Sequence, residues 1–138
     1  MSFRRPHAPQ LSPYLVVKDA EKAIKFYEQA FGFELIDAAR DDKGAISHVE
    51  MKKGDAMLMF CPEGAFGTTK KSPLTSGIAM PLTFFVYCEN TDKLHEQAVK
   101  HNAKSLMAPN DGFWGDRFCI LLDLDGYEWG FATYLGNK

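Results

Sequence analysis

The first apolar segment, Tyr14-Leu15-Val16-Val17, is a short run with paired β-branched residues that stops at Lys18-Asp19, as a strand ending in a polar turn would. Beyond it the spacing changes. Ala20, Ala23, Ile24, Tyr27, Ala30 and Phe31 recur at steps of three and four, with Lys22, Lys25 and Glu28 on the other side, so the pattern predicts an amphipathic helix. Asp19 is its candidate N-cap and Gly32 its stop. Residues 34–40 and 45–51 then read as two strands joined through Asp41-Asp42-Lys43-Gly44, and Lys53-Gly54-Asp55 turns the chain into Ala56-Met57-Leu58-Met59-Phe60-Cys61. The order so far is strand, helix and three strands.

Residues 62–81 break this rhythm with Pro62, Gly64, Gly67, Pro73, Gly77 and Pro81, and read as a linker. The same order then begins again: a strand at 82–88, a helix at 91–102, and strands at 104–108, 117–123 and 127–133. Turns are predicted at Pro109-Asn110-Asp111-Gly112 and Asp125-Gly126. Both helices carry Glu-Gln-Ala, at 28–30 and 96–98, which together with the repeated order supports an internal duplication. The expected organisation is one domain over 1–138, with module one at about 11–61, a linker at 62–81 and module two at about 82–135. The strands at 14–17, 82–88, 118–122 and 127–132 are apolar at odd and even positions alike, so neither sheet face is a solvated one. Helices can cover one face; the other surrounds a cavity, a partner subunit or both, or else belongs to a plain two-faced core.

Composition narrows the function classes. Sixteen Lys and Arg against eighteen Asp and Glu leave a net charge of −2, without the basic excess that nucleic acid requires. No apolar run approaches the length of a membrane span, and the amino terminus lacks a signal-peptide core, so no membrane partner and a cytoplasmic location are expected. Cys61, Cys88 and Cys119 lie in apolar runs without CxxC spacing and read as reduced core thiols. No Gly-rich phosphate loop, GxSxG elbow or HExxH is present.

Two constellations remain. His48 and Glu50 are two apart on a predicted strand and point the same way, as a base with its orienting carboxylate or as a hydrogen-bonded pair on a sheet face. Trp114 follows Phe113 between Gly112 and Gly115, placed to cover a planar ligand, with Arg117 near enough to stack or to grip an anion. The alternative is a packing Trp with Arg117 paired to Asp116 or Asp123. His95 and His101 belong to the second helix and are expected to face solvent.

Tyr14-Leu15-Val16-Val17-Lys18-Asp19, then Ala23-Ile24-Lys25-Phe26-Tyr27 and Phe31-Gly32-Phe33, resemble the opening signature of the vicinal oxygen chelate superfamily, which includes glyoxalase I, bleomycin-resistance proteins and extradiol dioxygenases. Ile46 to Met51 with Gly54-Asp55, Phe113 to Phe118, and Asp123 to Trp129 resemble later signatures of its PhnB-like branch. The resemblance implies an α+β fold in which two βαβββ modules form a curled mixed sheet, a homodimer, and a groove under the sheet. It also implies a divalent metal held from four positions, which fall here at Ser12, at His48 or Glu50, at about Thr83 and at Gly130. Three of these residues bind metals poorly, so no cofactor is expected; a divalent metal enters only under a different alignment. By alternation from those positions Tyr14, Val16, Thr83, Phe85, Tyr87, Glu128 and Gly130 face the groove, while Trp129 and Phe131 face the helix-side core.

The expected function is binding of a small aromatic or amphipathic molecule without metal, through Tyr14, Phe85, Tyr87, Phe113, Trp114, Arg117 and Glu128. The alternative is an enzyme of the same superfamily. It would be a metal-dependent isomerase, lyase or dioxygenase, or a metal-free catalyst of proton transfer through His48 and Glu50.

Overall fold

The computed structural model describes residues 3–136. Among the described residues two compact units divide the chain: one runs up to residue 28 and over 32–72, the other comprises residues 29–31 and those from 73 onward. Each contains an open four-stranded mixed sheet, and the two repeat one topology.

In the first unit the chain forms β1 (Tyr14–Val17), α1 (Ala20–Phe31, whose last three residues belong to the second unit), β2 (Glu34–Arg40), β3 (Ile46–Lys53) and β4 (Ala56–Pro62). The strand order is β1-β4-β3-β2, with β1 parallel to β4 and the other pairs antiparallel. A strand joined to a parallel partner needs a long crossover, and α1 with the β2–β3 hairpin supplies it. The Asp19 side chain accepts from the Lys22 N–H at 3.0 Å and caps α1, replacing a bond that the first turn cannot make internally. Gly32 closes the helix at φ +76°, where a side chain would be strained. Tyr27 on α1 packs against Phe60 on β4 with ring centroids 5.6 Å apart, and Val49, Met51, Leu58 and Phe60 are buried. By strand alternation His48 and Glu50 project from the opposite face of β3.

After a 3₁₀ turn at Ala65–Gly67, the second unit contains α2 (Pro73–Ser76), β5 (Phe84–Tyr87), α3 (Thr91–Lys100), β6 (Lys104–Asp111), β7 (Asp116–Leu122) and β8 (Glu128–Tyr134). Its order, β5-β8-β7-β6, repeats the first sheet, again with one parallel pair, β5 with β8. Asn90 caps α3 by accepting from the Lys93 N–H at 3.0 Å. Trp129 and Phe131 are buried and stacked, and Phe31 tilts onto both with centroids at 5.3 and 4.8 Å. The Trp129 indole N–H donates to Asp123 at 2.9 Å, so this large ring is buried with its one polar group satisfied.

The structure corrects one local expectation. Pro109 to Asp111 form no turn; β6 runs through them to Asp111, with irregular register between Met107 and Asn110. β6 is an edge strand, where a proline without an N–H costs no interstrand bond and a bulge absorbs the misfit. The linker segment makes backbone bonds of its own. The Ser72 N–H donates to Glu63 at 3.0 Å, and the Leu74 N–H donates to the Asp125 carbonyl at 2.9 Å in the turn before β8. Cys61 and Cys119 are buried thiols, and Cys88 is half-buried. Among the described residues no helix is long and apolar enough to cross a membrane.

Candidate functional site

Each sheet presents one face away from its packed core, and the expected site residues divide between these two faces. In the first unit, Tyr14 is the register partner of Met59, and Met59 that of Glu50, so the three share one row across the sheet. His48 stands two residues before Glu50 on the same face. Its Nε2 lies 2.8 Å from Glu50 Oε2 and its Nδ1 2.8 Å from the Tyr14 hydroxyl. The Tyr14 and His48 rings stack with centroids 5.5 Å apart. Arg5, from the segment before β1, places Nη1 2.5 Å from the same Glu50 oxygen.

The electrostatics give this chain of hydrogen bonds a direction. The bond from His48, aided by Arg5, holds the Glu50 carboxyl below the usual carboxylate range despite burial, which opposes ionisation. An ionised Glu50 only accepts, so His48 donates from Nε2, and in the tautomer with its proton there Nδ1 accepts from the Tyr14 hydroxyl. The Tyr14 phenol is raised by partial burial first and by the neighbouring Cys61 second, which keeps it a donor at neutral pH. Both imidazole nitrogens are therefore engaged. The outer end of the chain is the Tyr14 oxygen, not the histidine.

In the second unit the central residue is Asp116, at the start of β7. It is only 2% exposed, yet its Oδ2 accepts from both the Tyr87 hydroxyl and the Trp114 indole N–H, each at 2.8 Å. That bond to Asp116 is the main reason the Tyr87 phenol is raised. Trp114 packs against Phe118 at 4.8 Å and lies over Gly112, where a Cβ would come within 2.7 Å of the indole ring. Gly130 does the same for Phe85: a Cβ there would sit 2.8 Å from the ring. The two glycines are spaces that rings occupy. Phe85, Tyr87 and Trp114 nevertheless stay 45%, 60% and 47% exposed. Phe113 stands out in solvent beside Trp114, and a shallow cavity of about 320 Å³ adjoins them, bounded also by Tyr134 and Leu135.

The remaining expected residues are placed otherwise. Arg117 alternates onto the helix side of β7, where it makes two bonds to Asp92, at 2.9 and 3.0 Å, and one to Asp111 at 3.0 Å. Its partners are thus neither Asp116 nor Asp123, and its guanidinium is committed away from the aromatic face. Glu128 is on that face, hydrogen-bonded by the Thr83 hydroxyl. His95, midway along α3, is half-buried rather than solvated and bonds Ser105 at 2.7 Å. Sequence reasoning did not single out Asp116 as an anchor, Arg5 or the role of Tyr14. Asp116 had a local signal in its position two residues after Trp114, whereas Arg5 is 45 residues from Glu50 and had none.

A family model for the Glyoxalase/Bleomycin resistance protein/Dioxygenase superfamily matches residues 8–131. The chain belongs to this superfamily. An uncharacterised protein of Mycobacterium bovis is 28% identical over 126 residues, covering 90% of this chain and 82% of that protein. The fold is similar to that of TioX from Micromonospora (TM-score 0.73, 22% identity, 93% of this chain and 100% of the other). It is also similar to a glyoxalase/bleomycin resistance protein/dioxygenase family enzyme from Burkholderia phytofirmans (0.70, 18%, 90% and 97%) and to the PhnB protein from Bacillus cereus (0.63, 17%, 91% and 99%).

Superfamily membership raises the question of a divalent ion, and the donors present do not fit one. Gly130 offers no side-chain ligand, Thr83 is bonded to Glu128, and both nitrogens of His48 are hydrogen-bonded. Among the described residues no group of three or more His, Cys, Asp or Glu side chains is placed to hold a metal.

Proposed function

We propose that this superfamily member binds a small aromatic or amphipathic molecule on the open face of its second sheet, without a metal, and works as a cytoplasmic homodimer. The observation that carries this reading is the Asp116 anchor. A buried carboxylate fixes two half-exposed aromatic rings from below, and two glycines make room for a third ring and for the indole itself. Rings ordered before binding lose less entropy when a ligand stacks on them, and so such surfaces favour planar ligands. The test is a titration of intrinsic tryptophan fluorescence with neutral, anionic and cationic planar aromatics. Saturable quenching that W114A weakens is expected, whereas insensitivity to every ligand would overturn the reading. Light scattering tests the dimer, with twice the 15.5 kDa chain mass expected.

A second reading has its own observation, the Tyr14–His48–Glu50 chain, which suits metal-free proton transfer next to a carbonyl. Tyr14 would meet the substrate, His48 would carry its proton, and Glu50 would hold the imidazole in one tautomer. This reading predicts turnover that survives chelation and is lost in both Y14F and H48Q while ligand affinity remains.

A further inference from the structure

Glu50 carries more burial than its partners explain. Its side chain is about 5% exposed, and Oε2 takes both His48 and Arg5, while the buried Oε1 has no hydrogen-bond partner among the described residues. A carboxylate offers about four acceptor positions, and a buried oxygen left without a donor is costly. The residue that should relieve it does so incompletely. Arg5 reaches Glu50 through one nitrogen only, although a guanidinium can grip a carboxylate through two parallel bonds, and its side chain remains 68% exposed.

The segment that brings Arg5 in is exposed over residues 3–7. The Lys52 ammonium donates to the His7 carbonyl at 3.2 Å, and the Ala8 N–H donates to the Arg5 carbonyl at 3.1 Å. A cavity of about 670 Å³ adjoins the segment, lined by residues 4–10 with Lys52 and Asp55. On the same face Met59 is the register partner of Glu50 and the Tyr14 ring stacks on His48, apolar surface for the stem of a ligand. Asp37, exposed opposite Glu50 on β2, adds negative potential.

We propose that Glu50 is a cation subsite which Arg5 occupies in the free chain and from which the guanidinium or amidinium of a ligand displaces it. The incoming planar cation bonds Oε1 and Oε2 together, His48 keeps the carboxylate oriented, and the segment carrying Arg5 swings away. The chain's small net charge does not oppose this, because the attraction is local to one buried carboxylate. The subsite lies in the first unit and does not depend on the aromatic site of the second.

The test is an NMR titration of the full chain with butylguanidinium, using butylurea as the neutral isostere. Saturable shifts at residues 48–51 are expected with the cation and none with the urea. R5A removes the internal competitor, so its affinity should rise about tenfold if Arg5 fills the subsite about nine-tenths of the time. E50Q should abolish binding. R5A and R5Q alter only an exposed side chain, so their comparison with wild type stands even if E50Q fails to fold. Butylguanidinium binding that is absent, no tighter in R5A than in wild type, or matched by butylurea would overturn the proposal.

Discussion

Asp116→Asn is the substitution that best separates an ordered aromatic surface from an incidental one. It keeps the shape of the side chain and one acceptor oxygen but removes the charge, so the bonds that Tyr87 and Trp114 make to Asp116 at 2.8 Å lose their charge assistance. Trp114 is about half exposed, so water competes for its weakened bond and the fold should survive. Packing over Gly112 and against Phe118 also remains. What is lost is ordering before binding. Immobilising a large side chain on association costs ~0.5–1.5 kcal/mol, so a ligand stacking on a loosened Trp114 should bind about 1 kcal/mol more weakly, or about fivefold in Kd. Calorimetry gives the affinity, and time-resolved tryptophan anisotropy gives the mobility, with W114F isolating the buried Trp129. The expected result is a fast anisotropy component from Trp114, a weaker Kd, and a Tyr87 phenol that titrates lower because its main upward influence is gone. An unchanged Kd alongside a demonstrably loosened Trp114 would refute the reasoning.

Other consequences are as direct. Glu50 has its pKa lowered in the folded chain, so its ionised form contributes stability above the ordinary carboxylate range and loses it as pH falls through the folded value. Thermal unfolding followed from neutral pH down to about pH 3 should therefore fall less steeply in E50Q than in wild type. Gly130→Ala would place a Cβ 2.8 Å from Phe85, which is half exposed and can swing outward. Its melting temperature should drop by less than the ~1–3 kcal/mol of a fully buried overpacking implies, while aromatic-ligand affinity falls clearly. Arg117→Ala breaks the pairs with Asp92 and Asp111 on the helix side, so it should lower stability and leave ligand affinity unchanged. A loss of affinity in R117A would return Arg117 to the binding surface.

Much of the fold was legible because its local signals agree with one another. Asp19, the apolar stripe from Ala20 to Phe31 and Gly32 mark α1 from cap to stop, and the same order of elements recurs in the second module. The mistaken turn at Pro109 shows the limit of such signals. Whether a proline ends a strand depends on whether that strand lies at an edge, and edge position is set by pairing with β7 rather than by the local sequence. The candidate site divides in the same way. His48 and Glu50 share a face by simple alternation, but the hydroxyl that completes their chain comes from Tyr14, 34 residues away. Trp114 was visible as an aromatic between glycines. Its anchor was not, since Asp116 gains its meaning from Tyr87, 29 residues earlier, and from burial. Arg117 was misplaced because a strand's alternation sends neighbours such as Asp116 and Arg117 to opposite faces.

Whether an aromatic ligand binds the second sheet without a metal is decided by one paired measurement. Protein purified without chelators is analysed for a full transition-metal panel, and its aromatic-ligand affinity is measured before and after dialysis against EDTA. Far less than one metal per chain, an unchanged Kd and an unchanged melting temperature are expected. About one metal per chain, removed by EDTA together with binding and thermal stability, would contradict metal-free binding and return His48 and Glu50 to the role of metal ligands.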